Sequence, residues 1–223
     1  MSTKNSKNYS NESVKEYYHS TGLYDSIIYK KNKTNQNLPK EEIIENLLLK
    51  NKKLSNKVTG TNKKIILSNK NYKSKIMVLG DMPSQKDIDN NELFSDDSGE
   101  LLTKMLGAIS IDSSQVYLAN IIPFYLTKEE SKNIKKYNSL LRKIVHEHIS
   151  AINPETILLL GSFALQTLFG EEYSIAKNRG QWFSYSAANN SINIIPSFHP
   201  AFLLKQPSQK KKSWEDLQEL QKK

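Results

Sequence analysis

The chain has 223 residues, of which 37% are hydrophobic, and this length fits one α/β domain of about 150 residues with an extension. It has no cysteine, which excludes disulfides, thiol catalysis and thiolate-held metals, and no apolar run approaches the roughly 20 residues of a membrane span. The formal charge of +9 is unevenly distributed along the chain. Residues 1–75 carry 16 Lys and 6 acids, whereas residues 76–223 carry 16 Lys and Arg against 17 acids. Charge alone therefore does not establish a nucleic-acid-binding domain.

Residues 1–74 are predicted to form a basic extension of the main domain, partly helical and partly disordered. Apolar residues recur at roughly helical spacing over 13–31, and a second helix is predicted to begin after Pro39 and to continue through Leu48. The rest of the extension is rich in Lys and contains one β-like stretch at 65–67. The N-terminus has no apolar signal segment, so we expect a cytoplasmic protein.

From Lys75 onward, short apolar segments alternate with segments of helical periodicity. The predicted strands are 76–79, 116–122, 156–160 and 192–195, and the predicted helices are 99–109, 131–152, 163–169 and 213–220. This alternation predicts an α/β fold for residues 75–223, a three-layer αβα sandwich with a central four-stranded parallel sheet. Ligands of such folds bind at the carboxyl ends of the strands, where this chain carries small and polar residues.

The segments that follow the predicted strands carry a series of short motifs. In chain order they are Gly80–Ser84 (GDMPS), Leu93–Leu102 (LFSDDSGELL), Asn120 at a strand end, Pro154–Gly161 (PETILLLG), Arg179–Phe183 (RGQWF) and His199–Lys205 (HPAFLLK). The series resembles the uracil-DNA glycosylase superfamily over about two-thirds of the chain. It is most similar to the bacterial family-four branch, whose members carry GEAPG, PFVGxxGxLL and HPAxLL segments in the same order.

The resemblance implies a DNA repair enzyme that hydrolyses the N-glycosidic bond of uracil, or of a related deaminated base, in DNA. The expected partner is DNA that contains such a base, with no membrane association, and the expected form is a monomer. The family's cluster cysteines are absent, so no iron–sulfur centre can be carried over to this chain. We therefore expect no metal and no other cofactor.

Five residues of these motifs have side chains or backbone suited to such a reaction. An enzyme of this kind turns the base out of the duplex and binds it in a tight pocket. Phe94 offers a stacking face, Asn120 can donate and accept at the uracil edge, and Gly80 lets backbone amides approach the ligand. His199 is predicted to donate to uracil O2 as negative charge grows there. Asp81 is predicted to orient a water towards C1′ or to stabilise positive charge on the sugar.

Four further residues, which lie at strand ends or within these motifs, are predicted to contact DNA phosphates. They are Ser162, Arg179, Ser197 and Lys205.

Two departures from the family pattern leave an alternative open. Met82 and Ser84 replace small residues of the first loop, and Asp96–Asp97 place two acids where DNA is expected. These residues favour a catalytically impaired, glycosylase-like DNA-binding protein as the second hypothesis. A third hypothesis, an unrelated doubly wound nucleotide-binding protein, has no support, because the chain contains neither GxGxxG nor GxxxxGK[ST].

Overall fold

The structure is a computed structural model, and it describes residues 40–187 and 190–222. The predictions made for residues 1–39, including the helix over 13–31, lie outside the described residues. From Lys40 onward the chain forms one compact unit.

Five strands form a single sheet at the centre of this unit. They are β1 (Ile76–Gly80), β2 (Tyr117–Asn120), β3 (Thr156–Leu160), β4 (Phe183–Ala187) and β5 (Asn190–Ser197). The order is β2-β1-β3-β5-β4, and the first four strands in this order are parallel to one another.

The predicted count of four strands is wrong by one, because no strand was predicted over β4. It pairs with β5 in the antiparallel direction and forms one edge of the sheet. Its sequence FSYSA alternates apolar or aromatic residues with serine, and its serines are exposed. Such alternation is typical of an antiparallel edge strand with one solvated face, and it differs from the continuous apolar runs of the parallel strands.

Nine helices lie in the described part of the chain. They are α1 (Lys40–Thr59), α2 (Gln85–Asn90), α3 (Asp97–Ala108), α4 (Lys128–Ser131), α5 (Asn138–Ile152), α6 (Ser162–Phe169), α7 (Ile175–Asn178), α8 (Pro200–Lys205) and α9 (Lys210–Gln221). The single helix predicted over 131–152 is interrupted by a 3₁₀ turn at Ile134–Tyr137, and α5 begins only after it. Helix α1 continues past its predicted end because Leu54, in a Lys-rich stretch, is buried.

The two faces of the sheet bury separate sets of apolar side chains. Met77 and Leu79 of β1 pack with residues of α5 and α6, whereas Val78 between them packs with residues of α3 and α9. Alternate residues of a strand point to opposite faces, so helices cover the sheet on both sides in three layers. Leu47 and Leu54 of α1 join the first of these cores, so α1 packs with the region predicted to begin at residue 75. Among residues 40–187 and 190–222, no helix combines the length and the apolar character needed to cross a membrane.

Candidate functional site

The carboxyl ends of the parallel strands bring three of the predicted residues together. Gly80 ends β1 and lies in register beside Asn120, which ends β2. Strand β5 ends at Ser197, and His199 follows two residues later at the start of α8. The sheet therefore places Gly80, Asn120 and His199 at one edge, although the chain separates the first from the last by more than one hundred residues.

Gly80 lies beneath a cluster of three side chains. A Cβ atom added to Gly80 would lie 2.5 Å from Oδ1 of Asn120, 2.9 Å from Cζ of Phe94 and 3.4 Å from Nε2 of His199. These three atoms therefore converge on one small volume, well within the ~12 Å span expected for a site that holds one flipped base. Any side chain at position 80 would intrude on this volume, which explains why the position is a glycine.

The hydrogen bonding of His199 defines which ring nitrogen carries its proton. The side chain caps α8, and Nδ1 accepts a hydrogen bond from the backbone N–H of Ala201 at 3.2 Å. Nδ1 is therefore unprotonated, and the neutral ring carries its proton on Nε2. Burial lowers the pKa of His199 to about 4, although the nearby carboxylates of Asp96 and Asp87 raise it. At neutral pH the residue is an uncharged N–H donor.

Two buried polar atoms at this cluster have no hydrogen-bond partner among the described residues. They are Oδ1 of Asn120, whose residue is 3% exposed, and Nε2 of His199. A buried polar group without a partner is costly. Asn51, Asn138, Thr167 and Asp216 also carry such an atom, but only the atoms of Asn120 and His199 converge above Gly80, and this convergence makes the cluster the candidate ligand site. One atom accepts a hydrogen bond and the other donates one, so the complementary ligand has an N–H group and an oxygen.

Phe94 provides a flat apolar boundary beside these polar atoms. Its ring is inclined by 26° to the ring of His199, and the two centroids are 6.2 Å apart. Its backbone has φ of 56°, a left-handed conformation that a bulky residue rarely adopts. Such strain is concentrated at functional sites, where the surrounding structure enforces it.

The carboxylate of Asp81 lies on the side of the loop that faces α6. It accepts a hydrogen bond from the backbone N–H of Ala164 at 3.0 Å, and its oxygens lie 2.9 and 3.1 Å from a Cβ built at Gly161. Gly161 precedes α6 and offers no side-chain cap, so Asp81 caps this helix from a distant part of the chain. Burial raises the pKa of Asp81 to about 7, although the bond from Ala164 lowers it.

The structure separates the four residues predicted to contact phosphates into two exposed and two enclosed ones. Ser162 and Lys205 are exposed, and contact with DNA through these side chains stays a prediction. Ser197 is fully buried, and its hydroxyl donates to Asp216 at 2.6 Å, so it has no surface to offer a phosphate. Arg179 is also enclosed, with a side chain that is 15% exposed.

Arg179 forms an ion pair with Asp216 instead of presenting its charge to solvent. The distance from Nη2 of Arg179 to Oδ1 of Asp216 is 2.6 Å, and Nε donates to Oδ2 at 3.1 Å. Arg179 also donates to the carbonyl of Lys212 and lies over the ring of Phe198. Burial raises the pKa of Asp216, while Ser197 and Arg179 lower it. Arg179 therefore joins α9 to the end of β5, and this arrangement does not support the phosphate contacts predicted for Arg179 and Ser197, which stay predictions.

Three further residues lie near the site; two of them were not predicted to have a role there, and the third was expected only to oppose DNA binding. Asp87 is 4% exposed and its carboxylate binds the backbone on both sides of α2, at Ser84 and Ser95. Gly99 lies against the backbone of Phe94. The spacing Ser84-x-x-Asp87, which is typical of a helix capping box, was the available signal for Asp87.

The third of these residues, Asp96, caps α3. Its carboxylate accepts hydrogen bonds from the backbone N–H groups of Ser98 and Gly99 at 3.0 and 3.2 Å. Burial raises the pKa of Asp96, but the hydrogen bonds from Ser98 and Gly99 outweigh this and leave the pKa below its ordinary value. The negative charge that was expected to oppose DNA binding is thus directed at the start of a helix, where it is stabilising.

The site offers no thiolate, because the chain has no cysteine. Among residues 40–187 and 190–222, no three His, Asp or Glu side chains are grouped so as to hold a metal ion. The described residues therefore do not fit an iron–sulfur cluster, which is held by cysteine thiolates.

Comparisons with known proteins agree on one family. A family model described as "Uracil DNA glycosylase superfamily" matches residues 68–218. A type-4 uracil-DNA glycosylase of Archaeoglobus fulgidus is 26% identical over 141 residues, which cover 61% of this chain and 70% of the relative. The type-4 enzyme of Thermotoga maritima is 28% identical over 65% of this chain and 73% of its own length, and that of Sulfurisphaera tokodaii is 28% identical over 66% and 69%.

Proposed function

This chain belongs to the uracil DNA glycosylase superfamily, and from that membership and the cluster above Gly80 we propose that it hydrolyses the N-glycosidic bond of uracil in DNA. The products are free uracil and an abasic site, which places the enzyme at the first step of base excision repair. Activity on a related deaminated base belongs to the same proposal.

The observation that carries the proposal is the pair of unpartnered atoms on Asn120 and His199. Uracil presents N3–H flanked by two carbonyl oxygens. Oδ1 of Asn120 accepts from N3–H while its Nδ2 donates to O4, and Nε2–H of His199 donates to O2. One base then satisfies both buried groups. Cytosine has an amine at position 4 and no proton on N3, so it does not match the Asn120 amide in this orientation.

His199 contributes most when the bond between N1 and C1′ breaks. The electron pair of that bond leaves with uracil, and its negative charge is shared with O2. A hydrogen bond from Nε2–H to O2 strengthens as this charge grows, so it stabilises the transition state more than the ground state. The low pKa of His199, about 4, keeps the imidazole neutral, so it acts as a hydrogen-bond donor without protonating the base.

Phe94 acts on the flipped base, and Asp81 acts on the attacking water or on the sugar. The ring of Phe94 stacks on the flipped base and excludes water from its face. Asp81, once ionised, orients a water towards C1′ or stabilises the positive charge that develops on the sugar. The water supplies the hydroxyl of the abasic sugar, and its second proton passes to Asp81 or to solvent. The uracil anion takes up a proton from solvent and becomes neutral uracil.

The surface next to His199 supports contact with duplex DNA. Phe202 and Leu204 of α8 are exposed large apolar residues, 41% and 42% exposed, in the same short helix that His199 caps. Apolar side chains in such positions can enter the base stack and fill the gap that a flipped nucleotide leaves. Lys205 follows on the same helix, and three exposed lysines, Lys210–Lys212, begin α9. These lysines provide positive charge for the backbone phosphates.

The experiment that tests the proposal is a cleavage assay on single- and double-stranded oligonucleotides with one uracil, hypoxanthine or xanthine. Alkaline treatment converts each abasic site into a strand break that a gel resolves. We expect breaks at uracil, and none with an undamaged control strand. Binding without any excision would instead favour the catalytically impaired DNA-binding protein.

A further inference from the structure

Phe94 occupies its place above Gly80 only because its backbone is held in an unfavourable conformation. Residues with a Cβ atom avoid φ near +56°, and aromatic residues gain nothing locally that would offset this. Asn91, three residues earlier, also has positive φ, so the segment between α2 and α3 turns sharply twice. Such a segment needs bonds from outside itself to keep one shape.

Asp87, in the first turn of α2, supplies those bonds. Its Oδ1 accepts from the backbone N–H of Ser95 at 2.6 Å and from the Ser95 hydroxyl at 3.0 Å. Its Oδ2 accepts from the backbone N–H of Ser84 at 2.9 Å. One buried carboxylate therefore joins the loop that follows β1 to the residue directly after Phe94.

Gly99 acts on Phe94 from the opposite side. A Cβ atom at Gly99 would lie 1.6 Å from the carbonyl oxygen of Phe94 and 2.8 Å from its Cα. These are backbone atoms, so a rotamer change cannot relieve the overlap. The first turn of α3 can approach Phe94 this closely only if residue 99 has no side chain.

We propose that Asp87 and Gly99 are positioning residues of this enzyme, which together hold Phe94 in its left-handed conformation with its ring over Gly80. Neither residue supplies one of the three atoms nearest to a Cβ built at Gly80. Both act through the backbone of residues 94 and 95. The proposal rests on the proposed function, since it assigns these residues to the stacking of the excised base.

Asp87→Asn is the main variant, because it keeps the shape of the side chain and replaces one accepting oxygen with a donor. The amide cannot accept from both Ser84 and Ser95, so one of the two backbone bonds is lost. We expect the single-turnover rate of uracil excision to fall roughly 10-fold to 100-fold, as for a misplacement of about 1 Å in a catalytic site. The affinity for an undamaged duplex, measured by fluorescence anisotropy, should stay unchanged.

Two variants separate positioning from ordinary helix capping. Ser84→Ala removes the hydroxyl that caps α2 but keeps the Ser84 N–H that Asp87 binds. Glu130→Gln alters the equivalent capping box of α4, where Glu130 accepts from the N–H of Thr127 at 2.8 Å. Both should excise uracil within about 2-fold of the wild-type rate, since capping alone contributes modestly to stability.

Gly99→Ala has a matched control in the same helix. Gly107 also lies in α3, and a Cβ atom there meets nothing within 4 Å. We expect Gly99→Ala to lower the excision rate by roughly 10²-fold, whereas Gly107→Ala keeps it, because only the first displaces Phe94.

The backbone of Phe94 gives a readout that does not depend on activity. The three-bond coupling between its amide and Hα protons reports φ, and the amide proton shift of Ser95 reports its bond to Asp87. Both should change in Asp87→Asn, and the coupling should change in Gly99→Ala. The proposal is overturned if Asp87→Asn excises at the wild-type rate, if Ser84→Ala is equally slow, or if the Phe94 coupling stays the same. A wild-type protein that excises nothing would overturn the proposed function instead, and the coupling would still decide the role of Asp87.

Discussion

The backbone N–H of Ala201 donates to Nδ1 of His199, and this bond leaves the opposite nitrogen of the ring as the donor that faces Gly80. Two residues of one short helix thereby define the tautomer of the imidazole. Because burial also holds its pKa near 4, His199 stays neutral throughout the physiological range. The residue can therefore stabilise an anion through a hydrogen bond at any pH at which the protein is expected to work.

Replacement of His199 with alanine tests this role. The variant loses a donor that is used most strongly in the transition state, so excision should slow by roughly 10²–10³-fold for every base that the enzyme accepts. Single-turnover kinetics measure this loss, and anisotropy with undamaged duplex should show little change in binding. Wild-type kinetics in His199→Ala would show that the leaving group is stabilised elsewhere.

Asn120→Asp should fail in a different way, because Asn120 acts on the identity of the base. The carboxylate puts an acceptor where uracil O4 needs a donor. An unmatched buried group of this kind should lower the rate of uracil excision roughly 10²-fold. The same change offers an acceptor to the exocyclic amine of cytosine. Paired oligonucleotides with uracil or cytosine at one position measure the preference. If the variant keeps the wild-type ratio of rates, Asn120 does not determine base specificity.

Gly80→Ala should close the site without disturbing the sheet. The new methyl group would lie 2.5 Å from Oδ1 of Asn120 and 2.9 Å from the ring of Phe94, both of them side-chain atoms that border the proposed base pocket. We expect excision to fall by at least about 10²-fold and the thermal midpoint to change little. Gly107→Ala is the matched control, and it should excise uracil like the wild type. Normal activity in Gly80→Ala would place the base elsewhere.

The sequence predicted the parallel part of the fold because its strands are short apolar runs bounded by glycine or proline. The predicted carboxyl ends of these strands lie within two residues of the observed ones, and the motifs there supplied the candidates Gly80, Asn120 and His199, which the structure brings together. Strand β4 escaped prediction, since its exposed serines resemble a loop and its only neighbour is β5. Propensity cannot distinguish an edge strand of this kind from an irregular segment without knowledge of the pairing.

Charged residues were the least predictable part of the site. Arg179 was expected to face DNA, but it pairs with Asp216, which lies 37 residues away on α9. No pattern in the local sequence predicts that ion pair. Asp87 was overlooked although the Ser84-x-x-Asp87 spacing indicates its bond to Ser84, because its bond to Ser95 depends on how the loop after α2 folds. A charged side chain acquires its role from tertiary contacts, and these are not encoded by spacing alone.

Arg179 and Lys205 should therefore respond oppositely in two measurements. Arg179→Met leaves Asp216, 1% exposed, without its counter-charge, so the free energy of unfolding should fall by roughly 3–5 kcal/mol. The salt dependence of DNA binding should not change. Lys205→Gln should leave stability unaltered and lower the slope of log K against log salt by about one. Urea unfolding and anisotropy at several salt concentrations measure these quantities. A reduced salt slope in Arg179→Met would restore its predicted phosphate contact.

The pH dependence of excision should follow Asp81. Burial raises the pKa of this carboxyl to about 7, so only part of the enzyme carries the ionised form at neutral pH. If the carboxylate is the active form, the single-turnover rate rises with pH and levels off above about pH 7. His199, with its pKa of about 4, does not titrate in this window. Asp81→Asn should lower the plateau and abolish the rise, whereas His199→Ala should be slower but keep the same midpoint.

The free energy of unfolding should fall as pH rises, whereas the excision rate rises. This contrast distinguishes Asp81 from a residue that only supports the fold. Its folded pKa lies above the ordinary value of 3.8, so the folded state favours the protonated carboxyl. The stabilisation is fully present below about pH 4 and is lost as pH rises through 7. Asp81→Asn keeps an oxygen for the N–H of Ala164 and cannot ionise. Its thermal midpoint should therefore exceed that of the wild type at pH 8 and match it near pH 4. A variant less stable than the wild type at pH 8 would mean that the ionised carboxylate caps α6 as a structural group, and the rate profile would then need another titrating residue.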